Sequence, residues 1–189
     1  PITRRGLTEF TYSRFLVPWL CGYEGAAIFM DADIVVTGDI GELIDQADGV
    51  SAVQVMKNQP KFEWASVMLF NNANCKNLTP EWIDRPDTKP LALDWGEVGE
   101  FSDDWNHCVG YMEPKDAKLY HYTQGLPCWF ETQTHEEDAH WANALVDATR
   151  TVSWKELMGG SVHAKHVLQR MLAGYGRRMA EVAKGDMAG

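Results

Sequence analysis

Two aspartates one residue apart are the first feature of the sequence that could do chemistry. Asp31 and Asp33 follow the apolar run Ala26–Met30 and precede a second apolar run, Ile34–Val36. Five apolar residues after a glycine predict a buried strand, most simply a parallel strand covered on both faces. Side chains two positions apart in an extended segment point the same way, so both carboxylates are expected to face one point. Such a pair favours Mg²⁺ or Mn²⁺, with substrate phosphates completing the coordination shell.

A histidine much later in the chain could add a nitrogen ligand to this pair. His121 lies in the alternating segment Lys118–Tyr122, which predicts a strand, and a loop containing Gly125 and Pro127 follows. Neutral imidazole is a common metal ligand, and a glycine lets the backbone of a loop come close to a ligand. Each feature also has a plain structural explanation: a solvated strand end for the aspartates and a structural position for the histidine.

The elements expected around these residues alternate between helices and strands. They are a helix over Thr8–Cys21 kinked at Pro18, strands over Ser51–Met56 and Ala65–Phe70, a polar loop over Lys57–Glu63, and helices over Glu136–Thr149 and Ser161–Lys184. Asp39 with Glu42 three residues later resembles a capping box that opens a short helix. Thr79 before Pro80 is typical of a helix start. Together these signals predict an α/β fold.

Composition limits the classes of protein to consider. The chain has 189 residues, 45% of them hydrophobic, which is enough for one domain with a sizeable core. A net charge of −10 argues against a broad nucleic-acid surface. The four cysteines are widely separated and form no Cys-x-x-Cys pair, so we expect reduced thiols and a cytoplasmic setting. No run approaches the length of a membrane-spanning helix.

Several short pieces of the sequence, taken in order, resemble one enzyme family. The pieces are Tyr12–Pro18, Phe29–Val36, Gly38–Leu43, Val67–Asn71, Trp105-Asn106 and His121–Trp129. In content and order they resemble the retaining glycosyltransferases of family 8, the group that includes glycogenin and the bacterial lipopolysaccharide galactosyltransferases. Each piece is short, and the ordered set is what carries the resemblance.

The resemblance implies a fold and a reaction. The fold is GT-A, a Rossmann-like mixed sheet flanked by helices, and we expect it over residues 1–150 with a C-terminal helical extension over 151–189. The reaction is that of a hexosyltransferase, which moves a sugar from a nucleotide-diphosphate sugar, commonly a UDP-sugar, to an acceptor hydroxyl with retention. A glycan, a lipid-linked sugar and a protein all stay open as the acceptor.

The resemblance also implies roles for individual residues. Mn²⁺ or Mg²⁺ would be held by Asp31, Asp33 and His121 and would bridge the diphosphate. The donor is expected to lie beside Arg14, Ala32, Ser66, Gly125 and Trp129. No Asp-Gln-Asp segment like that of the family is present, and the acids in the matching part of the chain are Asp94 and Asp104. These two are the candidates for catalysis, with ordinary loop capping as the alternative.

Departures from the family pattern keep other functions open. Trp64 and Ser66 stand where the family has Asn and Gly, and Leu126 stands where it has a phosphate-binding Lys. Fewer residues than usual precede the Tyr-x-Arg segment. One alternative is therefore a catalytically degenerate GT-A domain that binds a nucleotide, a glycan or a partner. Another alternative is a metal-dependent nucleotide-sugar hydrolase.

The end of the sequence has the opposite charge to the rest. Residues 161–189 contain five basic and two acidic residues. A basic amphipathic helix over 161–184 could rest on an anionic membrane surface, which would place the protein on the inner face of the membrane. The alternative is a helix packed on the domain with a solvated charged face. Self-association is also compatible with the sequence.

Overall fold

The computed structural model describes residues 10–129, 135–169 and 172–173, together with Gly6 and Thr8. Contacts along the backbone divide the chain into two compact units. Unit 1 comprises Pro1–His107 and Asp116–Leu119, and unit 2 comprises Cys108–Lys115 and Tyr120–Gly189. The expected division into residues 1–150 and 151–189 stays a prediction.

Helices and strands alternate along the chain, as predicted for an α/β fold. The strands are β1 (Ala26–Met30), β2 (Ile34–Val36), β3 (Val53–Val55), β4 (Val67–Asn71), β5 (Val98–Glu100), β6 (His107–Cys108) and β7 (Leu119–His121). The helices bounded within the described residues are α1 (Phe10–Ser13), α2 (Val17–Leu20), α3 (Gly41–Ile44), α4 (Pro80–Asp84), α5 (Asp138–Thr151) and α6 (Trp154–Met158). Short 3₁₀ turns, among them Lys61–Ser66 and Pro90–Ala92, connect several of these elements.

Unit 1 is built on a four-stranded mixed sheet in the order β1-β4-β3-β5. β4 runs antiparallel to β1 and to β3, whereas β5 runs parallel to β3. β5 comes close to the loop before β3, because a Cβ on Gly99 would lie 2.4 Å from the Ser51 hydroxyl oxygen. Only glycine therefore fits at this position of β5 without displacing its neighbours.

The prediction that Ala26–Met30 is a parallel strand covered on both faces is wrong. β1 is antiparallel to β4, lies at the end of the four-stranded sheet and is only half-buried. The strands that are covered on both faces are the inner two, β3, all of whose residues are buried, and β4, four of whose five residues are buried. The reason is position in the sheet, since β4 has a neighbour on each side and β1 has one.

The core of unit 1 packs against this sheet. Its buried members are Phe15, Ala52, Val53, Val55, Ala65, Met68, Phe70, Cys75, Leu78, Ile83 and Leu93. Trp95 joins two of them, with ring centroids 6.1 Å from Phe15 in an edge-on arrangement and 6.3 Å from Phe70 in a stacked one. Both arrangements are favourable for aromatic pairs.

The predicted single helix over Thr8–Cys21 is broken. A 3₁₀ turn over Arg14–Leu16 separates α1 from α2, and Pro18 lies in the first turn of α2, where proline is tolerated. Trp19 and Leu20, which follow this turn, are 45% and 70% exposed. A 3₁₀ turn has about 3.0 residues per turn rather than 3.6, so the residues after it rotate away from the core.

Of the two predicted helix starts, the one at α4 is confirmed, whereas the capping box predicted at α3 is wrong. The Thr79 side chain accepts a hydrogen bond from the Trp82 N–H at the start of α4, as predicted. At α3 the capping residue is Ile40, so Asp39 lies one position too early for a capping box. Asp39 instead accepts a hydrogen bond from the Gly41 N–H, and the Glu42 carboxylate pairs with the Lys118 ammonium.

A second sheet has three strands in the order β2-β7-β6, and the first residues of β6 and β7 belong to unit 1. Within unit 1, the N–H groups of Thr37 and Gly38 donate to the Lys118 carbonyl at 2.9 and 3.0 Å. The Lys118 N–H donates in turn to the Asp104 carbonyl at 3.0 Å. β7 confirms the strand predicted over Lys118–Tyr122.

Unit 2 is organised by two tyrosines and α5, the helix predicted over Glu136–Thr149. The Tyr122 hydroxyl donates to the Glu137 carbonyl at 2.7 Å and accepts from the Trp141 N–H at 3.2 Å. Burial raises the pKa of this phenol, which therefore stays protonated and able to donate. The Tyr120 ring stacks on His140 at 4.0 Å between centroids. The start of α5 is thus fixed to the end of β7.

The helix predicted over Ser161–Lys184 is only partly within the described residues. Residues 164–169 are helical, and so are 172–173. The remainder of the basic segment, residues 170–171 and 174–184, lies outside what the structure describes. Among the described helices, none has both the length and the apolar character needed to cross a bilayer.

The four cysteines, all of them among the described residues, form no disulfide in the structure. Cys21 is exposed and the other three are buried, and burial raises the pKa of the Cys75 thiol to about 12. At about pH 8, iodoacetamide should therefore alkylate Cys21 first, because the reactive species is the thiolate. Intact-mass spectrometry of the native protein should show one rapid adduct, and four after denaturation. Rapid native modification of Cys75 would contradict the burial described here.

Candidate functional site

Unit 1 contains a pocket of about 780 Å³. Its walls come from the N-terminal segment 8–14, from Asp31 after β1, and from the segments 61–66 and 89–92. The volume falls within the range of about 300–1,000 Å³ that is usual for small-molecule sites. Predicted site residues at this pocket are Arg14, Asp31 and Ser66.

The two aspartates lie in a turn that connects β1 to β2. Ala32 and Asp33 form the turn itself, and Ala32 is exposed. Carboxylate oxygens of Asp31 and Asp33 lie within 4.8 Å of each other. The two carboxylates therefore come together as predicted, but this turn brings them together and strand alternation does not. β1 and β2 belong to different sheets, so the chain must change direction between Met30 and Ile34.

Arg14 fixes the carboxylate of Asp31. One guanidinium nitrogen lies 3.1 Å from Oδ1 of Asp31, and the other lies 3.3 Å from Oδ2. The second nitrogen also donates to the Ala65 carbonyl at 2.7 Å, and the guanidinium carbon lies 4.9 Å above the Phe29 ring. The side chains of Arg14 and Asp31 are only 13% and 26% exposed. A two-pronged pairing of this kind fixes both the position and the plane of a carboxylate.

The backbone of Asp31 is fixed from the other side by Ser66. The Asp31 N–H donates to the Ser66 carbonyl at 2.9 Å. The buried Ser66 hydroxyl donates to the Glu63 carbonyl and accepts from the Asn106 amide at 2.9 Å. Asn106 belongs to the Trp-Asn piece of the sequence, but nothing in the sequence indicated this supporting contact.

Glu63 is a pocket residue that the sequence did not identify. It lies in the 3₁₀ turn Lys61–Ser66 and is buried, although it lines the pocket. The segment Lys57–Glu63 was predicted to be a polar loop, and a glutamate in a polar loop is normally expected in solvent. No local signal distinguishes it, because its burial depends on the turn that leads into β4.

The two catalytic candidates from the sequence do not reach this pocket. Asp94 is exposed and Asp104 is half-buried, and neither is among the residues that line it. The Asp104 carbonyl supports Lys118 instead. Their catalytic role stays a prediction.

His121 is the last residue of β7 and is buried in unit 2. Its Nδ1 atom lies 3.8 Å from Sγ of Cys108, and its carbonyl accepts from the Val109 N–H at 2.9 Å. A contact at Nδ1 orients the imidazole ring. The contact with Cys108 could not be predicted from the spacing of two residues on different strands.

The loop after His121 contains two predicted donor-binding residues. Gly125 has φ of +117°, a conformation that requires glycine, and its N–H donates to the Tyr122 carbonyl at 2.8 Å. The Trp129 ring contacts two histidines, His163 at 5.4 Å and His166 at 4.2 Å between centroids. Both residues are thus held within unit 2.

Residues of the kinds that bind divalent cations occur in each unit: Asp31 and Asp33 in unit 1, and His121 in unit 2. Carboxylate oxygens are preferred by Mg²⁺ and Mn²⁺, and imidazole is a common additional ligand. Each carboxylate oxygen has two lone pairs, so the contact with Arg14 leaves acceptor capacity on Asp31. The chemistry of these donors fits a hard divalent cation.

Comparison with known proteins identifies the fold. No family model matches the chain. It is 32% identical over 168 residues to Protein CDI of Arabidopsis thaliana, in a match that takes in 73% of this chain and 64% of that protein's length. A crystal structure of an active-site mutant of LgtC is similar with a TM-score of 0.50 at 14% identity, over 77% of this chain and 70% of that one. The chain has the GT-A fold.

The GT-A fold confirms the fold class predicted from the sequence. A second LgtC structure, that of the galactosyltransferase with donor and acceptor sugar analogues, has a TM-score of 0.48 at 14% identity, over 81% of this chain and 70% of that one. In the GT-A fold of the present chain, unit 1 contributes the mixed sheet, the pocket and the Arg14–Asp31 pair.

Replacing Arg14 by Gln should destabilise the protein. The change removes the charge that compensates Asp31 and weakens the hydrogen bond to the Ala65 carbonyl, so we expect a loss of about 1–3 kcal/mol. Urea denaturation followed by tryptophan fluorescence measures it. Arg85→Gln is the matched control, because Arg85 and its partner Asp87 are both exposed and an exposed pair contributes little. Equal effects of the two changes would show that the Arg14 pair has no special structural role.

Proposed function

We propose that the protein is a metal-dependent glycosyltransferase that transfers a sugar from a nucleotide-diphosphate sugar, most simply a UDP-sugar, to an acceptor hydroxyl with retention. The observation that carries this proposal is a carboxylate, Asp31, fixed by Arg14 at the wall of a 780 Å³ pocket in a GT-A fold. LgtC, which has this fold, is a galactosyltransferase.

We assign the metal to Asp31, Asp33 and His121, the set that the family resemblance implies. A bound Mn²⁺ or Mg²⁺ would stabilise the negative charge that develops on the diphosphate as the sugar–oxygen bond breaks. Two of these side chains are held in a fixed orientation in the absence of substrate. Arg14 keeps the Asp31 carboxylate in one orientation, and the contact with Cys108 keeps the His121 ring in one orientation.

The lining of the pocket is compatible with a sugar. Its lining includes Thr8, Thr11 and Tyr12, which carry hydroxyl groups, and the apolar residues of 90–92. Sugars combine hydroxyl groups with apolar C–H faces, and a site for them needs both kinds of surface. The acceptor hydroxyl would have to meet the anomeric carbon at this pocket.

One observation favours a second candidate, a GT-A domain that binds a nucleotide or glycan without transfer. Both oxygens of the Asp31 carboxylate already face Arg14. Under this candidate the protein binds UDP, but no sugar is released from any donor.

Asp31→Asn and Asp33→Asn should each lower metal-dependent transfer by about a hundredfold or more, since each removes a charge from the metal site. Both variants should still fold, because asparagine has the same size and the turn is not part of the core. Asp31→Asn should nevertheless lose stability comparable with that of Arg14→Gln, because it breaks the same ion pair. The assay follows release of labelled sugar from a panel of UDP-sugars with Mn²⁺ and with EDTA. Asp45→Asn, at an exposed acid after α3, is the control and should keep full activity. Undiminished Mn²⁺-dependent turnover in either site variant would refute the assignment.

His121→Ala should weaken Mn²⁺ binding by at least about tenfold, as loss of a metal-site residue does. Binding is measured by electron paramagnetic resonance of the remaining free Mn²⁺, and folding by urea denaturation of the same sample. His140→Ala, which removes a stacked histidine of unit 2, is the control for loss of an imidazole. If His121→Ala lowers stability but leaves Mn²⁺ binding as in the control, His121 is a structural residue.

A further inference from the structure

Two lysines line the unit 1 pocket. Lys61 opens the 3₁₀ turn Lys61–Ser66, and Lys89 precedes the 3₁₀ turn Pro90–Ala92. Both are exposed, and neither forms an ion pair with any residue in the described ranges. The Lys61 ammonium lies 5.4 Å from the centroid of the Trp64 ring.

Arg14, the third basic residue of the pocket, already has partners within the protein. Arg14 directs its guanidinium at both oxygens of Asp31 and at the Ala65 carbonyl, and its Nε donates to the Phe10 carbonyl at 3.3 Å. A ligand entering the pocket therefore meets its positive charge at Lys61 and Lys89.

The local charge is opposite to that of the whole chain. Three basic and two acidic side chains line the pocket, in a protein with a net charge of −10. One of the two acids, Asp31, is compensated by Arg14, and the other, Glu63, is buried. Two ammonium groups on one pocket in an acidic protein attract an anion locally while the rest of the surface repels it.

Large apolar side chains stand beside the lysines. Phe62 follows Lys61 and is 68% exposed, and Leu91 follows the Lys89-Pro90 pair and is 44% exposed. Both line the pocket. Exposed apolar side chains at a pocket are typical of ligand-binding sites, because a bound ligand covers their apolar surface. The wall therefore combines charge for an anion with surface for a carbon skeleton.

We propose that Lys61 and Lys89 bind a phosphate group of the substrate, with Phe62 and Leu91 against the attached sugar. The inference rests on the proposed function in taking this pocket as the substrate site. The phosphate has two sources in a sugar transfer, the diphosphate of the donor or a phosphate carried by the acceptor. The chemistry at the two lysines is the same in both, namely ammonium groups paired with phosphate oxygens.

The test compares the parent protein, the double variant Lys61→Gln/Lys89→Gln, and the control Lys76→Gln at an exposed lysine that does not line the pocket. Two probes are titrated calorimetrically in EDTA: inorganic pyrophosphate for the donor, and glucose 6-phosphate against glucose for the acceptor. We expect the double variant to bind one phosphate probe about tenfold more weakly than the parent, since two exposed charge pairs are lost. Binding by the parent should also weaken as salt is added.

The probe that responds identifies the source of the phosphate. If only pyrophosphate binding is weakened in the double variant, the lysines bind the donor. If only glucose 6-phosphate binding is weakened, they bind the acceptor. The proposal is overturned if neither probe binds the parent protein, or if the double variant binds both as tightly as the control. The binding test involves neither a metal nor turnover. If the lysines bind phosphate but the protein transfers no sugar, the proposed function is refuted and the inference about the lysines still holds.

Discussion

The ion pair between Arg14 and Asp31 is the interaction on which the site in unit 1 depends. Arg14 lies between α1 and α2, Asp31 follows β1, and the Ala65 carbonyl precedes β4, so one guanidinium joins three segments of the chain. The hydrogen bond from the Asp31 N–H to the Ser66 carbonyl closes the same junction through the backbone. A partly buried carboxylate without this partner would be costly, and it would be free to rotate.

This pairing also decides how charge is distributed over the pocket. Because Arg14 is committed to Asp31, the carboxylate is held in place and the arginine is not available to a ligand. The positive charge that a ligand meets then comes from Lys61 and Lys89 on the turns of the pocket wall. Under the proposed function, Asp31 belongs to a cation site, and the two lysines form a basic wall for an anion. A metal-assisted transfer from a nucleotide-diphosphate sugar needs both.

The sequence predicted elements well where the signal is local. The β4 strand, the Thr79 cap of α4 and the helix α5 depend on neighbouring residues, and all three were confirmed. The turn at Ala32, the edge position of β1 and the burial of Glu63 were not predicted. Each depends on which distant strand or turn lies alongside, and periodicity along the chain carries no information about that.

The most direct measurement is a crystal structure of the protein with Mn²⁺ and UDP, with anomalous data collected for manganese. The account predicts one anomalous peak bound by Asp31, Asp33 and His121 and in contact with the UDP diphosphate, with Arg14 still paired to Asp31. UDP bound without a peak at these three residues, or with manganese held elsewhere, would contradict it.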